Sequence, residues 1–404
     1  MFSSQNSYSV MICLTSFELG GAERQALNLA LLLKREGIRV VMASFSNQGP
    51  IQDICQKSNI PTVEFSRKIT LISILSTAIE INKHNIDIIF SYCDYANIMM
   101  ALVFPFTQAS RLFWGQRDAG IGLNVIKEFP KILDLPTAAI SNSIAGKIFL
   151  QTLSKNIKIY HIPNVIQPNP PLFSRSQWRQ KLGITKEKTV FLMIANLSKL
   201  KAHDLLLHAW SLAQTSKFFA QKAVLLLAGR EDEQACYLHQ LARDLEINDS
   251  VIFLGQISDI SGLITAADIC IFSSYKEGLP NGILECMYYG LPVIALANHG
   301  TCEACAAVDG NVLINDHTPI SLKDGILKLY TNNYLKCIGE NNEIYVKNNF
   351  SQKKFIDCYL KIITLCPGNK HRMLKIKSLS CLLLFYFSRL KNKIIKLIKH
   401  NQAN

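Results

Sequence analysis

The 404 residues of the chain, 49% hydrophobic and 18% charged, exclude a disordered polymer and favour two domains over one. Nine of the 43 Lys and Arg residues lie in residues 370–404, which contain no Asp or Glu. The formal net charge of +13 is therefore largely concentrated in a tail, and it does not predict a surface that binds nucleic acid.

The twelve cysteines are scattered along the chain, and Cys302 and Cys305 form the only C-x-x-C pair. Neither a second pair nor a closely spaced His pair accompanies them, so the sequence predicts reduced cytosolic thiols and not a zinc site. The amino-terminal run has no basic residue before its apolar part, which argues against a signal peptide. No stretch of about 18 apolar residues predicts a helix that spans a membrane.

The first half of the sequence alternates strand-like apolar runs with helical patterns. The predicted strands are YSVMICLTS, IRVVMASF, TVEF, DIIFSYC, RLFWGQ and TAAISNS. Helices are predicted to open near Ala22 and to span residues 51–57 and 70–84. Short strands that alternate with helices predict βαβ units and a parallel sheet.

A proline-rich segment at residues 161–171, HIPNVIQPNPP, marks the predicted boundary between domain 1–165 and domain 166–350. The predicted strands of the second domain are TVFLMIA, AVLLLAG, VIFLG, DICIFSS, PVIAL and NVLI. Such near-continuous apolar runs indicate a sheet covered on both faces. The sequence therefore predicts two doubly wound α/β domains, followed by a helix at 351–366 and a basic amphipathic tail at 367–404.

Two glutamates, Glu277 and Glu285, flank the turn that follows the strand DICIFSS. Glu277 lies in the turn, and Glu285 lies about one turn into a helix predicted over residues 281–290. The N–H groups at the start of such a helix suit a phosphate. A carboxylate one turn deeper can accept hydrogen bonds from two vicinal hydroxyls, as on a ribose. The carboxylate in the preceding turn can meet a polar group beyond the phosphates.

The block EGLPNGILECMYYGLPVIA, with its Glu-x7-Glu spacing, resembles the hallmark of the retaining nucleotide-sugar glycosyltransferases of family 4. The resemblance covers nearly the whole chain. It implies a GT-B fold, in which two Rossmann-like domains face a cleft, and a UDP- or GDP-sugar donor. It also implies that Glu285 binds the ribose and that Glu277 acts catalytically at the donor sugar. The turn between them would contact the donor through Gly278, Leu279 and Pro280.

Two further blocks resemble donor-binding parts of this family. FELGGAERQALNLALLL resembles the amino-terminal glycine loop, in which Gly20 and Gly21 let the backbone approach a ligand closely. ANLSKLKAHDLLLHAW resembles the block that holds the donor diphosphate, with Lys201 at the Lys position of the family. Asn196 stands where the family has an Arg, so one phosphate-binding charge is missing.

The loops after the next two strands supply further donor-binding candidates. LLLAGREDE places Gly229 and Arg230 at the carboxyl end of a strand, where Arg230 is expected to supply part of the missing positive charge. VIFLGQIS is similar to the family segment whose backbone contacts the nucleobase of the donor. That similarity implies a donor-binding role for Leu254 and Gly255.

Arg117 and Asp118, in LFWGQRDAG, stand roughly where many members of the family place a His near the reacting sugar. They are the catalytic candidates of the first domain, and an ordinary salt bridge is the alternative. No general base is assigned, because the His is missing. No Asp-x-Asp follows an apolar strand, so neither a metal site nor a cofactor beyond the nucleotide sugar is expected.

The tail has basic ends and an apolar centre, and near its end Leu390, Ile394, Leu397 and Ile398 fall at helical spacing among lysines. This pattern is typical of a helix that lies in the plane of a membrane, so residues 370–404 are expected to contact the membrane surface. A disordered basic tail and a helix that docks on the protein itself are the alternatives.

The residues and the resemblance together predict a metal-independent hexosyltransferase at the cytoplasmic face of the cell membrane. The acceptor, held by the first domain, is expected to be a lipid-linked or cell-envelope glycan, such as lipopolysaccharide, O-antigen or capsule. Closure of the two domains would complete the site and exclude water. One alternative is an inactive membrane-bound GT-B scaffold, which Asn196 and the missing His support. The other is a sugar-nucleotide epimerase, against which the Glu-x7-Glu block argues.

Overall fold

The computed structural model describes residues 8–46, 49–120, 124–368 and 374–383. Two sheets organise these residues, and every strand pairing in them is parallel. Parallel neighbours need long crossovers, which the helices between the strands provide. This arrangement confirms the predicted fold class of two Rossmann-like α/β units.

The first unit, Met1–Pro163 with Phe355–Asn404, is built on a seven-stranded sheet of order β3-β2-β1-β4-β5-β6-β7. Its strands are β1 (Ser9–Leu14), β2 (Arg39–Ser44), β3 (Thr62–Glu64), β4 (Ile88–Tyr92), β5 (Arg111–Gln116), β6 (Ala138–Ser141) and β7 (Ile159–His161). Runs such as SVMICL in β1 are buried on both faces because helices cover the sheet on both sides. The strand order reverses between β1 and β4.

In the described part of the first unit, six α-helices and two 3₁₀ turns connect the strands. The helices are α1 (Gly21–Arg35), α2 (Pro50–Lys57), α3 (Leu71–Lys83), α4 (Asp94–Val103), α5 (Asn124–Glu128) and α6 (Ile144–Leu153), and the turns are Phe104–Phe106 and Pro130–Asp134. A capping box starts α3, since Thr70 Oγ1 accepts from the Ser73 N–H at 3.1 Å and Ser73 Oγ accepts from the Thr70 N–H at 3.0 Å. Residues 96–103 of α4 are all buried.

The second unit, Asn164–Lys354, is built on a six-stranded sheet of order β10-β9-β8-β11-β12-β13. Its strands are β8 (Thr189–Ile194), β9 (Ala223–Ala228), β10 (Val251–Gly255), β11 (Ile269–Phe272), β12 (Val293–Leu296) and β13 (Val312–Ile314). The strand order of this sheet reverses between β8 and β11. Every run predicted as a strand in either half contains one, and only β7, three half-exposed residues beside the proline-rich segment, was missed.

Nine helices and one 3₁₀ turn belong to the second unit. The helices are α7 (Arg175–Lys181), α8 (His203–Gln214), α9 (Lys217–Lys222), α10 (Ala235–Asp244), α11 (Ile260–Ala266), α12 (Asn281–Tyr288), α13 (His299–Cys305), α14 (Pro319–Tyr330) and α15 (Leu335–Asn349), and the turn is Lys199–Lys201. An aromatic cluster joins β8 to its helices, with the Trp210 ring 5.2 Å from Phe191 and 5.0 Å from Phe219. Such edge contacts stabilise the core beyond simple burial.

Asp259, at the start of α11, ties the segment before α7 to the rest of the second unit. Its carboxylate accepts hydrogen bonds from the N–H groups of Leu172, Phe173 and Gly262, each at 3.0 Å, and from Trp178 Nε1 at 2.8 Å. The side chain is only 5% exposed, so these four donors replace its lost hydration.

The described carboxyl-terminal residues form two helices, α16 (Gln352–Leu365) and α17, which is residues 374–383. From Phe355 onwards α16 belongs to the first unit, where the hydroxyl of buried Tyr359 lies 2.9 Å from that of Tyr92. Helix α17 packs against α4, and Ser378 Oγ donates to the Leu102 carbonyl at 2.8 Å.

One alternative for the tail was a helix that docks on the protein itself. Residues 374–383 form such a helix, since α17 packs on the first unit. Leu374, Cys381 and Leu382 are buried in the same core as α4. The amphipathic stretch from Leu390 to Ile398 lies outside the described residues, so its predicted membrane contact stays a prediction. Within the described part of the chain, no helix combines the length and the apolar character needed to cross a bilayer.

Candidate functional site

The strand-order reversal of the second sheet brings the carboxyl ends of β8 and β11 side by side, and open parallel sheets bind ligands at such points. Lys201 ends the 3₁₀ turn after β8, and Glu277 lies in the loop after β11. Lys201 Nζ lies 2.6 Å from Glu277 Oε1. The structure therefore places these two predicted site residues in direct contact at the switch point.

The Lys201–Glu277 ion pair is partly enclosed, with the lysine side chain 27% exposed and the glutamate side chain 11% exposed. Two hydrogen bonds join the loops that carry it. Ser273 Oγ donates to the Lys201 carbonyl at 2.9 Å, and the Tyr275 N–H donates to the Leu200 carbonyl at 3.1 Å. A positive charge is therefore held in place at the edge of the sheet, where it can meet an anionic group.

The turn formed by Gly278, Leu279 and Pro280 is buried and leads directly into α12. Asn164 Nδ2 holds it by donating to the Leu279 carbonyl at 3.3 Å. Gly300 must be glycine for this packing, because a Cβ there would lie 2.2 Å from the Gly278 carbonyl oxygen. The first N–H groups of α12 thus follow a fixed turn, and the helix dipole favours an anion before them.

Glu285 is half-buried and lies four residues beyond Asn281, the first residue of α12. Residues four apart share a helix face, so Glu285 is one turn behind the amino-terminal end of that face. This is the position predicted for a ribose-binding carboxylate next to a phosphate site. The ribose contact itself stays a prediction.

Asn196 and Arg230 lie in adjoining loops after β8 and β9. Asn196 Oδ1 accepts from the Arg230 N–H at 3.2 Å. Gly229 lets the two loops meet, since a Cβ there would lie 2.1 Å from the Ala195 carbonyl oxygen. The Arg230 guanidinium is 59% exposed and binds Asp232, with Nε 2.6 Å from Oδ1. To supply the charge missing at Asn196, Arg230 would have to leave Asp232.

Gly255 ends β10 with a φ of 63°, the left-handed region that favours glycine. Its carbonyl oxygen accepts from the Gly229 N–H at 2.9 Å, and the side chain of the preceding Leu254 is half-buried. The donor-binding candidates Gly229 and Gly255, at the carboxyl ends of β9 and β10, are therefore joined by a backbone hydrogen bond. Their predicted nucleobase contacts stay predictions.

His203 begins α8, two residues after Lys201, and is 1% exposed. Burial, together with the charge of Lys201, lowers the pKa of the imidazole to about 4. The ring is therefore neutral at pH 7 and adds no positive charge to the site.

The reversal point of the first sheet, between β1 and β4, carries a second group of polar residues. Gly20 and Gly21 lie after β1, where Gly21 opens α1. After β4, Cys93 has a φ of 69° and a ψ of 158°, a conformation otherwise found almost only in glycine. Cys93 Sγ donates to Glu23 Oε1 at 3.5 Å. Strain of this kind is typical of ligand-binding positions.

Arg117 and Asp118 follow β5, the next strand of the sheet. Among the described residues, each of the two side chains has its own partners, and no ion pair joins them to each other. Arg117 Nη2 donates to the Tyr359 hydroxyl at 2.8 Å, and its guanidinium carbon lies 4.1 Å from the Tyr92 ring centroid. Asp118 Oδ1 accepts from Gln116 Nε2 at 2.9 Å and from the Gly120 N–H at 2.6 Å.

Asp94, the first residue of α4, was missed by the sequence analysis. Burial, with a contribution from the charge of Asp118, raises the pKa of its carboxyl to about 7. A carboxyl group that can gain or lose a proton near neutral pH suits contacts with hydroxyl groups. Its position directly after a buried strand at the switch point was the signal that could have identified it.

The Asp94→Asn variant is expected to be more stable than the wild type above pH 8, and its advantage is expected to be clearly smaller at pH 5. The pKa of Asp94 is about 7 in the folded chain and near the ordinary 3.8 in the unfolded chain, so folding becomes less favourable as pH rises between these values. We expect a gain of about 1–3 kcal/mol above pH 8.

Thermal unfolding at both pH values, with exposed Asp249→Asn as the control, measures the effect on Asp94. An equal difference between the Asp94 variant and the wild type at pH 5 and pH 8 would contradict the raised pKa.

Residues 174–351, nearly all of the second unit, match a family model described as glycosyl transferases group 1. The match includes the switch-point residues Lys201, Glu277 and Glu285. Every donor-binding candidate except Gly20 and Gly21 lies inside it.

Similar proteins extend the likeness beyond the residues of this match. An uncharacterised glycosyltransferase of Haemophilus influenzae is 26% identical over 68% of this chain and 76% of its own length. The lipopolysaccharide glucosyltransferase WaaG of Escherichia coli is 26% identical over 42% of this chain, which spans 44% of the WaaG length. A crystal structure of Anabaena HepE with UDP and glucose superposes over 88% of this chain and 99% of HepE, with a TM-score of 0.75 and 20% identity. At that identity, the HepE likeness shows the GT-B fold alone.

Proposed function

We propose that this chain, a group 1 glycosyltransferase, is a retaining hexosyltransferase that uses a UDP- or GDP-sugar and acts on a cell-envelope acceptor. The observation that carries the proposal is the Lys201–Glu277 ion pair at the strand-order reversal, directly before α12. A fixed cation beside a helix amino terminus fits a diphosphate. The HepE structure contains UDP and glucose, the two parts of a donor of the proposed class.

In the proposed complex, the donor diphosphate lies between Lys201 and the first N–H groups of α12. Glu285 accepts hydrogen bonds from the ribose hydroxyls one helical turn away. Glu277, released from Lys201 by the diphosphate, faces the hydroxyl groups of the donor sugar. The diphosphate thus replaces one carboxylate partner of the lysine with a stronger one.

Retention requires that the acceptor oxygen bond to the anomeric carbon on the face that the diphosphate leaves. The bonding electron pair moves to the diphosphate, and the acceptor proton passes to the departing oxygen. Lys201 and the α12 dipole stabilise the negative charge that develops there, which is electrostatic catalysis.

We also propose that the enzyme needs no divalent metal. The charge of the diphosphate would be met by Lys201 and the helix dipole, with Arg230 as a further candidate. Across residues 8–46, 49–120, 124–368 and 374–383, no three His, Cys, Asp or Glu side chains come together as a ligand set for a metal ion.

The acceptor side is assigned to the first unit, near Gly20, Gly21 and Arg117. WaaG acts on lipopolysaccharide, and a related acceptor class is proposed for this chain: a lipid-linked or cell-envelope glycan such as lipopolysaccharide, O-antigen or capsule. The basic residues of 370–404 would bring the enzyme to the inner face of the cell membrane, where such acceptors are assembled.

A transfer assay tests this function directly. Purified enzyme is incubated with UDP- and GDP-hexoses and an envelope lipid extract, with EDTA present, and the product linkage is determined by NMR. We expect one donor to be consumed and its anomeric configuration to be kept in the product. An inverted linkage would contradict the retaining mechanism, and loss of activity with EDTA would contradict metal independence. Turnover of a sugar nucleotide to its epimer without acceptor would favour the epimerase.

A further inference from the structure

Helix α3 of the first unit presents an apolar row to solvent. Ile72, Leu75 and Ile79 are 81%, 39% and 59% exposed. Their spacing of three and four residues places them on one helix face. The opposite face, with Ile74, Ala78 and Ile81, is buried in the core of the first unit.

Helix α17 repeats this arrangement. Ile376, Leu379 and Leu383 are 65%, 41% and 59% exposed and have the same spacing as the α3 row. The opposite face of α17 is buried in the core to which α3 also contributes.

Helix α4 lies in the same core and touches both helices. It packs against α3, and its Leu102 carbonyl accepts the Ser378 hydrogen bond of α17. Because α3 and α17 bury their inner faces on the same side of the sheet, their exposed rows both point outwards on that side. The six apolar side chains therefore form one face of the first unit, called here the α3–α17 face.

Basic side chains accompany the α3–α17 face. Arg67 and Lys68 are exposed just before α3, and Lys375 is exposed on α17, where Lys377 lies 3.9 Å from the Asp134 carboxylate. The acid on α3 itself is half-buried Glu80, whose carboxylate lies 2.8 Å from Lys83 Nζ. The sequence after Leu383 adds five more Lys or Arg residues and no acid.

We infer that the α3–α17 face is the surface by which the first unit lies on an anionic lipid bilayer. Apolar rows on structured helices insert among lipid chains, while lysines and arginines at their ends meet anionic headgroups. A second copy of the chain would also cover apolar side chains, but it would bring a like positive charge against this face. The inference deepens the proposed membrane association by placing it on the folded unit as well as on the tail, and it rests on that proposal for the nature of the partner.

Vesicle sedimentation of the full-length chain tests this inference. The vesicles contain phosphatidylethanolamine with phosphatidylglycerol, and vesicles of phosphatidylcholine alone show the need for negative charge. The variants are Ile72→Glu with Ile79→Glu on α3, and Ile376→Glu with Leu383→Glu on α17. The control carries Ile320→Glu with Ile344→Glu, which are 62% and 59% exposed on the second unit.

We expect each face variant to bind the anionic vesicles at least about tenfold more weakly than the control, because each places two carboxylates in the lipid interface. Binding of UDP-sugar by the same samples should be unchanged. Vesicle binding equal to that of the control would overturn the inference. So would a dimer in solution that the face variants convert to a monomer while vesicle binding is absent. If the wild type bound no sugar nucleotide, the proposed function would be contradicted. The vesicle-binding result would still decide the inference about the α3–α17 face.

Discussion

Replacement of Lys201 by alanine is expected to lower kcat/KM for the sugar nucleotide by about 10²–10³, the usual effect of removing one group that stabilises a developing negative charge. Lys201 Nζ is held at the switch point beside α12, and among the donor-binding candidates it is the cation in contact with Glu277. Its loss also leaves the 11% exposed Glu277 carboxylate without its partner, which repels the diphosphate.

The matched control for Lys201 is Lys199→Ala, since Lys199 is exposed and lies in the same 3₁₀ turn. Its kcat/KM should stay within about twofold of the wild type, as expected for a solvated surface charge. Steady-state kinetics with the preferred donor measure both variants. Equal kcat/KM values for the two variants would contradict the role of Lys201 at the diphosphate.

Replacement of Asp259 by alanine is expected to cost the second unit about 3–4 kcal/mol of unfolding free energy. Four donors lose their acceptor at once, namely the N–H groups of Leu172 and Phe173 and the buried Gly262 N–H and Trp178 indole. Asp259→Asn should cost less, because its carbonyl oxygen still accepts two of these bonds.

The pH dependence of this contribution follows from the pKa of Asp259. Burial alone raises that pKa, but the hydrogen bonds from Leu172, Trp178, Gly262 and Phe173 outweigh burial and lower it below the ordinary 3.8. The carboxylate therefore stabilises the fold above about pH 4, and the contribution is lost as pH falls through the lowered pKa. Urea unfolding of the Asp259 variants and of exposed Asp249→Ala measures the effect. An alanine variant as stable as the Asp249 control would show that the four bonds contribute nothing net.

The strands of both sheets could be predicted from the sequence because both faces of each sheet are covered. Runs such as AVLLLAG in β9 are apolar without interruption, and few other structures bury such a run. The site around Glu277 could be predicted for a related reason. The turn residues between Glu277 and Glu285, with the glycine and proline that end α12, fix the strand, turn and helix in local sequence.

Other features could not be predicted because they depend on contacts between distant residues. The hydroxyl of Tyr359 meets Arg117, which lies 242 positions earlier, and nothing local in either segment indicates the pair. The pKa of Asp94 depends on its burial and on Asp118. The sequence around Asp259 indicates only a residue that caps a helix. Its hydrogen bonds from the Leu172 and Phe173 N–H groups form only when the unit is folded.

The composition of the tail is compatible with two environments, a membrane surface and the protein core. Its apolar residues predicted a membrane helix, yet Leu374, Ser378 and Cys381 of α17 pack on the core of the first unit. The pattern of a helix with two apolar faces is ambiguous in sequence, because hydrophobic spacing does not say which face meets protein and which meets lipid. The structure shows which face of α17 packs against the protein.

The central claim is that the carboxyl edge of the second sheet binds the nucleotide of a sugar donor. Isothermal titration of UDP, GDP and their hexose conjugates into the wild type and into Glu285→Ala tests it most directly. Glu340→Ala is the control, since that side chain is exposed on α15 of the same unit. We expect one nucleotide to bind the wild type and the control equally, and the Glu285 variant about 10- to 100-fold more weakly, since two charge-assisted hydrogen bonds to the ribose are lost. Equal affinity in all three proteins, or no binding of any nucleotide by the folded wild type, would contradict the assignment of this site.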